Sequence, residues 1–114
     1  MAESLTVIGD VAGKTAIVID DMIDTGGTIC AGARLLRQNG ATQVLACATH
    51  AVFSPPAVER LSEPGLFEEV IVTNSIPLSE DRRFPQLQVL SVANMLGEAI
   101  WRIHDESSVS SMFR

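Results

Sequence analysis

Tyrosine is absent from this chain, lysine occurs once, at Lys14, and aromatic side chains make up only 4% of 114 residues. A core with so few rings must draw on Ile, Val, Leu and Ala, and hydrophobic residues supply 46% of the sequence. Eight basic residues face fourteen acidic ones, a net charge of −6. No basic stripe is there to neutralise a row of phosphates, so nucleic acid is not an expected partner. Cys30 and Cys47 stand outside any CxxC or metal-ligand spacing and read as reduced, buried core fillers. No apolar run approaches the roughly 18 residues of a membrane span. Met1-Ala2-Glu3-Ser4 lacks the charged and apolar regions of a signal peptide. The expectation is a cytoplasmic protein with no membrane contact. Eight glycines and five prolines in 114 residues exclude a linker-like chain, and the length fits one domain.

What is present is a rhythm of short apolar runs and amphipathic segments. Thr15-Ala16-Ile17-Val18-Ile19 ends abruptly at Asp20 and Asp21, the pattern of a strand buried on both faces. Ile29, Ala33 and Leu36 then recur at helical spacing and Gly40 offers a stop, which predicts a helix over residues 28–39. Residues 44–48 read as a second buried strand, 69–73 as a third and 89–91 as a fourth. Residues 5–9 are a candidate edge strand. Ser54-Pro55-Pro56 reads as a helix start, a hydroxyl cap followed by prolines, and Pro64-Gly65 breaks that helix. Val92, Met95, Leu96, Ala99, Ile100 and Ile103 form the apolar stripe of a last helix. Strands alternating with helices predict right-handed crossovers and an α/β fold, a Rossmann-like parallel sheet with helices on both faces.

The chemistry is concentrated between the first strand and the first helix. Gly26-Gly27 lets the backbone turn with its N–H groups inward and no side chain in the way of a ligand. Thr25 and Thr28 add hydroxyl donors, and the helix N-terminus adds partial positive charge, so the segment reads as a phosphate cradle. Asp20, Asp21 and Asp24 cannot face a phosphate at contact distance; sugar hydroxyls or a divalent metal suit them better. The bland reading is a helix cap at Asp20 or Asp24 and an ordinary glycine turn, but a cap uses one acid and here are three within five residues. No GxxxxGK[ST] and no helix-opening GxGxxG is present.

An apolar strand, two Asp, two residues, then Asp24-Thr25-Gly26-Gly27-Thr28 resembles the phosphoribosyl-pyrophosphate loop of type I phosphoribosyltransferases. The flanks narrow the resemblance to the ribose-phosphate pyrophosphokinases: Asp10-Val11-Ala12-Gly13-Lys14, Ala48-Thr49-His50-Ala51-Val52-Phe53-Ser54, Val72-Thr73-Asn74-Ser75-Ile76-Pro77, and Ser108-Val109-Ser110-Ser111-Met112-Phe113. It implies a phosphoribosyltransferase-like domain spanning residues 1–114, the carboxyl-terminal portion of a longer homo-oligomeric enzyme. The amino-terminal domain with most ATP contacts, and a mobile basic loop, are then missing. Such enzymes transfer the β,γ-diphosphoryl group of ATP to the 1-hydroxyl of ribose 5-phosphate, with Mg²⁺, and release AMP.

By the same resemblance, Asp24, Thr25, Gly26, Gly27 and Thr28 hold the 5-phosphate, and Asp20 and Asp21 hold the ribose 2- and 3-hydroxyls. Ser108, Ser110 and Phe113 match residues of a subunit-interface site for effector phosphates such as ADP, where the bland reading is a flexible end. No catalytic residue and no metal ligand is identified within the chain. The alternative from another class is a non-catalytic phosphoribosyl-binding or regulatory module. His50 lies where it could touch ligand, although a lone histidine is more often structural. His104 complements the last helix's dipole, Trp101 lies off the stripe, and Arg82-Arg83 read as solvated charge.

Overall fold

The computed structural model describes residues 5–113; the opening Met1-Ala2-Glu3-Ser4, read above for a signal, lies outside them. Strand β1 (Thr15–Ile23) leads into helix α1 (Gly27–Gln38), β2 (Gln43–Ala51), α2 (Ala57–Leu61), β3 (Glu69–Thr73), β4 (Leu87–Leu90) and α3 (Ala93–His104). Short 3-10 turns occupy Glu80–Arg82 and Ser110–Phe113. All four strands are parallel, in the order β1-β2-β3-β4. The α/β parallel-sheet expectation holds. Residues 5–9 form no strand.

Helix α1 forms because Ile29, Cys30 and Ala33 bury one side against the sheet. It stops at Asn39-Gly40, where the Asn39 side chain donates to the Leu35 carbonyl at 2.8 Å and Ala41 N–H donates to the Leu36 carbonyl at 3.0 Å. Helix α2 lacks the predicted hydroxyl cap: Ala57 N–H donates to the Ser54 carbonyl at 2.9 Å, and no side chain caps the helix. The Ser54-Pro55-Pro56 signal marked the right place through a different contact.

The core lies on one side of the sheet. Val44, Ala46, Val70 and Val72 point into it and meet α1, α2, Phe53 and Phe67. Alternate residues point the other way, as a strand requires, and there Ile17 is 59% and Ile19 77% exposed. Cys47 shares this side and is partly exposed, whereas Cys30 is fully buried. The expectation of helices on both faces is therefore corrected: among the described residues α1 and α2 cover one face. A sheet whose order follows the sequence places successive right-handed crossovers on the same side. The last helix has the predicted stripe, yet α3 has no buried residue, and Ile100 and Ile103 are both exposed. No helix among the described residues is long and apolar enough to cross a membrane.

Arg37 closes the end of the sheet opposite the glycine loop, where β2 and β3 begin. Its Nη2 donates to both oxygens of Glu68, at 2.6 and 2.7 Å, and to the Leu66 carbonyl at 2.9 Å, while Val44 N–H donates to Glu68 at 2.8 Å. The Arg37 guanidinium, with that N–H, holds the Glu68 carboxyl below its usual range. A depressed folded value means the stabilisation is present above the unfolded carboxylate's value and lost as pH falls through the folded one. Glu68→Gln should lower stability by about 1 kcal/mol near neutrality, since the two side chains remain 25% and 36% exposed, and should flatten the acid limb of the stability curve. Urea melts of both proteins across acidic pH measure this; parallel acid limbs would contradict it.

Candidate functional site

Strand β1 does not end at Ile19 but runs on to Ile23. The ladder to β2 continues through Asp20 opposite Ala48, Met22 opposite His50 and Ile23 opposite Ala51. Val52 and Phe53 N–H groups then both donate to the Ile23 carbonyl, at 3.0 and 3.1 Å, and the buried Ile23 anchors the strand end. The chain turns through Asp24 and Thr25 into Gly26, whose φ of 79° is left-handed, and α1 begins at Gly27. That φ is open to glycine and strained for branched residues, so Gly26 is the residue the turn cannot replace.

No side chain caps α1. The cap reading for Asp20 and Asp24 is thereby answered. Among the described residues the N–H groups of Gly26, Gly27 and Thr28 have no protein acceptor. They sit at the positive end of the helix dipole. A cleft of about 180 Å³ opens there, lined by residues 22–29 together with Asp20. Met22, Ile23 and Ile29 give it apolar walls that the motif did not announce.

Asp21 does not line this cleft, because successive strand side chains point to opposite faces. Of the two carboxylates expected to hold the ribose 2- and 3-hydroxyls, Asp20 lines the cleft and Asp21 does not. Asp21 donates its N–H to the Asp20 carboxylate at 2.8 Å, and its own carboxylate accepts the Met22 N–H at 2.8 Å. The hydrogen bond with the Asp20 side chain, then the Met22 N–H, hold the Asp21 carboxyl below its usual range, and His50 adds a weaker attraction.

The glycines are asymmetric. Helix α2 lies behind Gly26, where an added Cβ would sit 3.7 Å from Ala57 Cα and from Leu61 Cγ. A Cβ on Gly27 would lie 3.1 Å from Arg60 Nη1. Arg60 Nη1 also donates to the Thr25 carbonyl at 3.2 Å. Sequence reading missed Arg60 because its place depends on how α2 crosses the loop, for which no local spacing is a signal.

His50 lies inside β2, not just past it, with Nδ1 at 2.7 Å from Ser75 Oγ. Ser75 Oγ donates to the Thr49 carbonyl at 3.1 Å, and Thr73 Oγ donates to the same carbonyl at 2.6 Å. This small network ties the carboxyl ends of β2 and β3 together. His50 does not line the cleft but is the ladder partner of Met22, which does. His104 ends α3, with its ring 6.2 Å from that of Trp101.

The serine-rich tail is tied back to α3. Arg102 donates to the Ser108 carbonyl at 3.0 Å and to Ser111 Oγ, while Ser108 Oγ and Ser110 Oγ lie 2.9 Å apart. Phe113 is exposed beyond them. Of the three tail residues the structure brings Ser108 and Ser110 together, far along the chain from the glycine loop. Among the described residues no three His, Cys, Asp or Glu side chains converge as a metal site, and Asp20, Asp21 and Asp24 make no cage.

Comparison with known proteins agrees with the geometry. The family described as "Phosphoribosyl synthetase-associated domain" matches residues 2–114. The chain is 84% identical to a ribose-phosphate pyrophosphokinase of Prochlorococcus marinus and 83% identical to one of Parasynechococcus marenigrum, in each case over all of this chain and 34% of the relative. The crystal structure of phosphoribosylpyrophosphate synthetase from Mycobacterium smegmatis superposes with a TM-score of 0.84 at 54% identity, covering 88% of this chain and 33% of that one. The chain thus spans about a third of the length of these relatives.

Proposed function

Since the chain belongs to the phosphoribosyl synthetase-associated domain family, we propose that its glycine loop binds the 5-phosphate of ribose 5-phosphate. In this reading the chain is the sugar-phosphate side of an enzyme that moves diphosphate from ATP to that sugar, giving phosphoribosyl pyrophosphate and AMP. The observation that carries it is the set of free N–H groups at Gly26, Gly27 and Thr28 facing a cleft of about 180 Å³. Three preorganised donors at a helix N-terminus suit a phosphate dianion. The Thr25 and Thr28 hydroxyls supplement them, and Asp20 accepts hydrogen bonds from ribose hydroxyls at the cleft's other end.

Phosphoryl-type transfer needs positioning and charge neutralisation more than a protein nucleophile. The loop residues position the sugar phosphate and attack nothing. Mg²⁺, expected with ATP in the full-length enzyme, has no ligand set among the described residues, and no step here passes through it. The sequence resemblance puts this stretch in the carboxyl-terminal portion of the longer enzyme. Alignment along a full-length relative tests that, and a match to its amino-terminal third would overturn it. For the tail, the paired hydroxyls of Ser108 and Ser110 and the exposure of Phe113 support an effector-phosphate site completed by another part of the protein.

The loop reading is tested by calorimetry with ribose 5-phosphate and with ribose. Losing charged hydrogen bonds of about 1.5–3 kcal/mol each should leave ribose at least a hundredfold weaker. Equal binding of the two sugars would contradict a phosphate cradle.

A further inference from the structure

We propose that Arg60 is a positioning residue of the phosphate loop: by holding the Thr25 carbonyl, it aims the Gly26 N–H into the cleft. The proposal rests on the loop reading above and adds a residue outside the motif.

Carbonyl oxygen and N–H of one trans peptide point in opposite directions across a plane. Arg60 Nη1 donates to Thr25 O at 3.2 Å, so the N–H of the same peptide, that of Gly26, points away from Arg60. No residue of α2 lines the cleft, and Ala57 and Leu61 lie close behind Gly26. Away from Arg60 is therefore toward the cleft. Glycine tolerates either orientation of its peptide plane at little energy difference, so the loop needs an external hold to keep one.

The room at Gly27 accommodates the same guanidinium. A Cβ there would meet Arg60 Nη1 at 3.1 Å, so the missing side chain makes space for the guanidinium behind the loop. Among the described residues Arg60 enters no ion pair. Its charge adds attraction for a phosphate dianion. Arg34, by contrast, pairs with Glu63 at 3.3 Å on the same side of α1.

The experiment titrates ribose 5-phosphate into the chain, Arg60→Ala and Arg60→Lys, following backbone amides by NMR. Arg60→Ala should bind about tenfold more weakly, the loss of one charged hydrogen bond. The ligand-induced shift of the Gly26 amide should fall with it, while amides late in α1 keep their positions. Lysine should recover only part of the affinity, because an ammonium lacks the planar fork. Methylguanidinium added to Arg60→Ala should restore affinity and leave the parent chain unaffected, a result that mere destabilisation would not give. Should the alanine variant fail to fold, Arg60→Lys keeps the aliphatic stem and carries the same comparison. Affinity within about twofold of the parent, or an undiminished Gly26 shift, would overturn the proposal. If the parent chain does not bind, the loop reading itself falls first, and the two failures are told apart.

Discussion

Given ATP, Mg²⁺ and ribose 5-phosphate at high protein concentration, the 114-residue chain is expected to release no AMP above the uncatalysed rate. Diphosphoryl transfer needs the nucleotide held in line with the sugar's 1-hydroxyl and the charge on the moving group neutralised. Effective-molarity arguments assign about 7–11 kcal/mol to such positioning, a rate difference of some five to eight orders of magnitude at tenfold per 1.36 kcal/mol. The chain spans 34% of the relatives it matches, and the described residues around the cleft provide donors for one phosphate only. Chromatographic detection of AMP over hours is sensitive enough. Turnover that scales with chain concentration and survives repurification would show that this third contains a nucleotide site and would contradict the expectation.

Gly26→Val should abolish measurable ribose 5-phosphate binding while Cys30→Ala leaves it nearly intact. Gly26 sits at φ 79°, where a branched residue meets strain of about 1–3 kcal/mol. Relief of that strain turns the backbone and scatters the three N–H donors. Their loss adds about 1.5–3 kcal/mol for each charged hydrogen bond, so the combined effect exceeds a hundredfold in affinity. Cys30 is a fully buried residue of α1 that does not line the cleft; alanine there removes packing alone and is the better helix former. The comparison uses calorimetry, with circular dichroism to confirm folding. Equal loss in both variants would mean that affinity follows stability rather than loop geometry.

The two glycines also mark how far sequence reasoning reached. The pair was readable as a phosphate turn from its company of Asp24, Thr25 and Thr28. Which of them is conformationally special was not, since φ is a property of the turn once it closes. The structure puts the left-handed angle at Gly26 and the close approach at Gly27, and the object approaching Gly27 is Arg60. A contact between α2 and a loop some 35 residues earlier leaves no trace in local spacing.

The strands were legible where they were apolar. The extension of β1 to Ile23 escaped notice because it is polar, carried by ladder bonds to β2 rather than by burial. Ile17 and Ile19 read as buried, yet they lie on the open face of the sheet. The same applies to α3, whose stripe was visible but whose partner was not: amphipathicity tells which side wants cover, never what supplies it. The tail's order was hidden too, since Arg102 rather than any serine signal ties it down.

The measurement that bears most directly on the loop assignment is an amide NMR titration of the chain with ribose 5-phosphate. Saturable shifts confined chiefly to Gly26, Gly27, Thr28 and their neighbours in the cleft are predicted, with inorganic phosphate producing the same pattern more weakly. A folded chain whose loop amides stay still at saturating sugar phosphate, or whose shifts gather elsewhere, would contradict the assignment of residues 24–28 as the phosphate site.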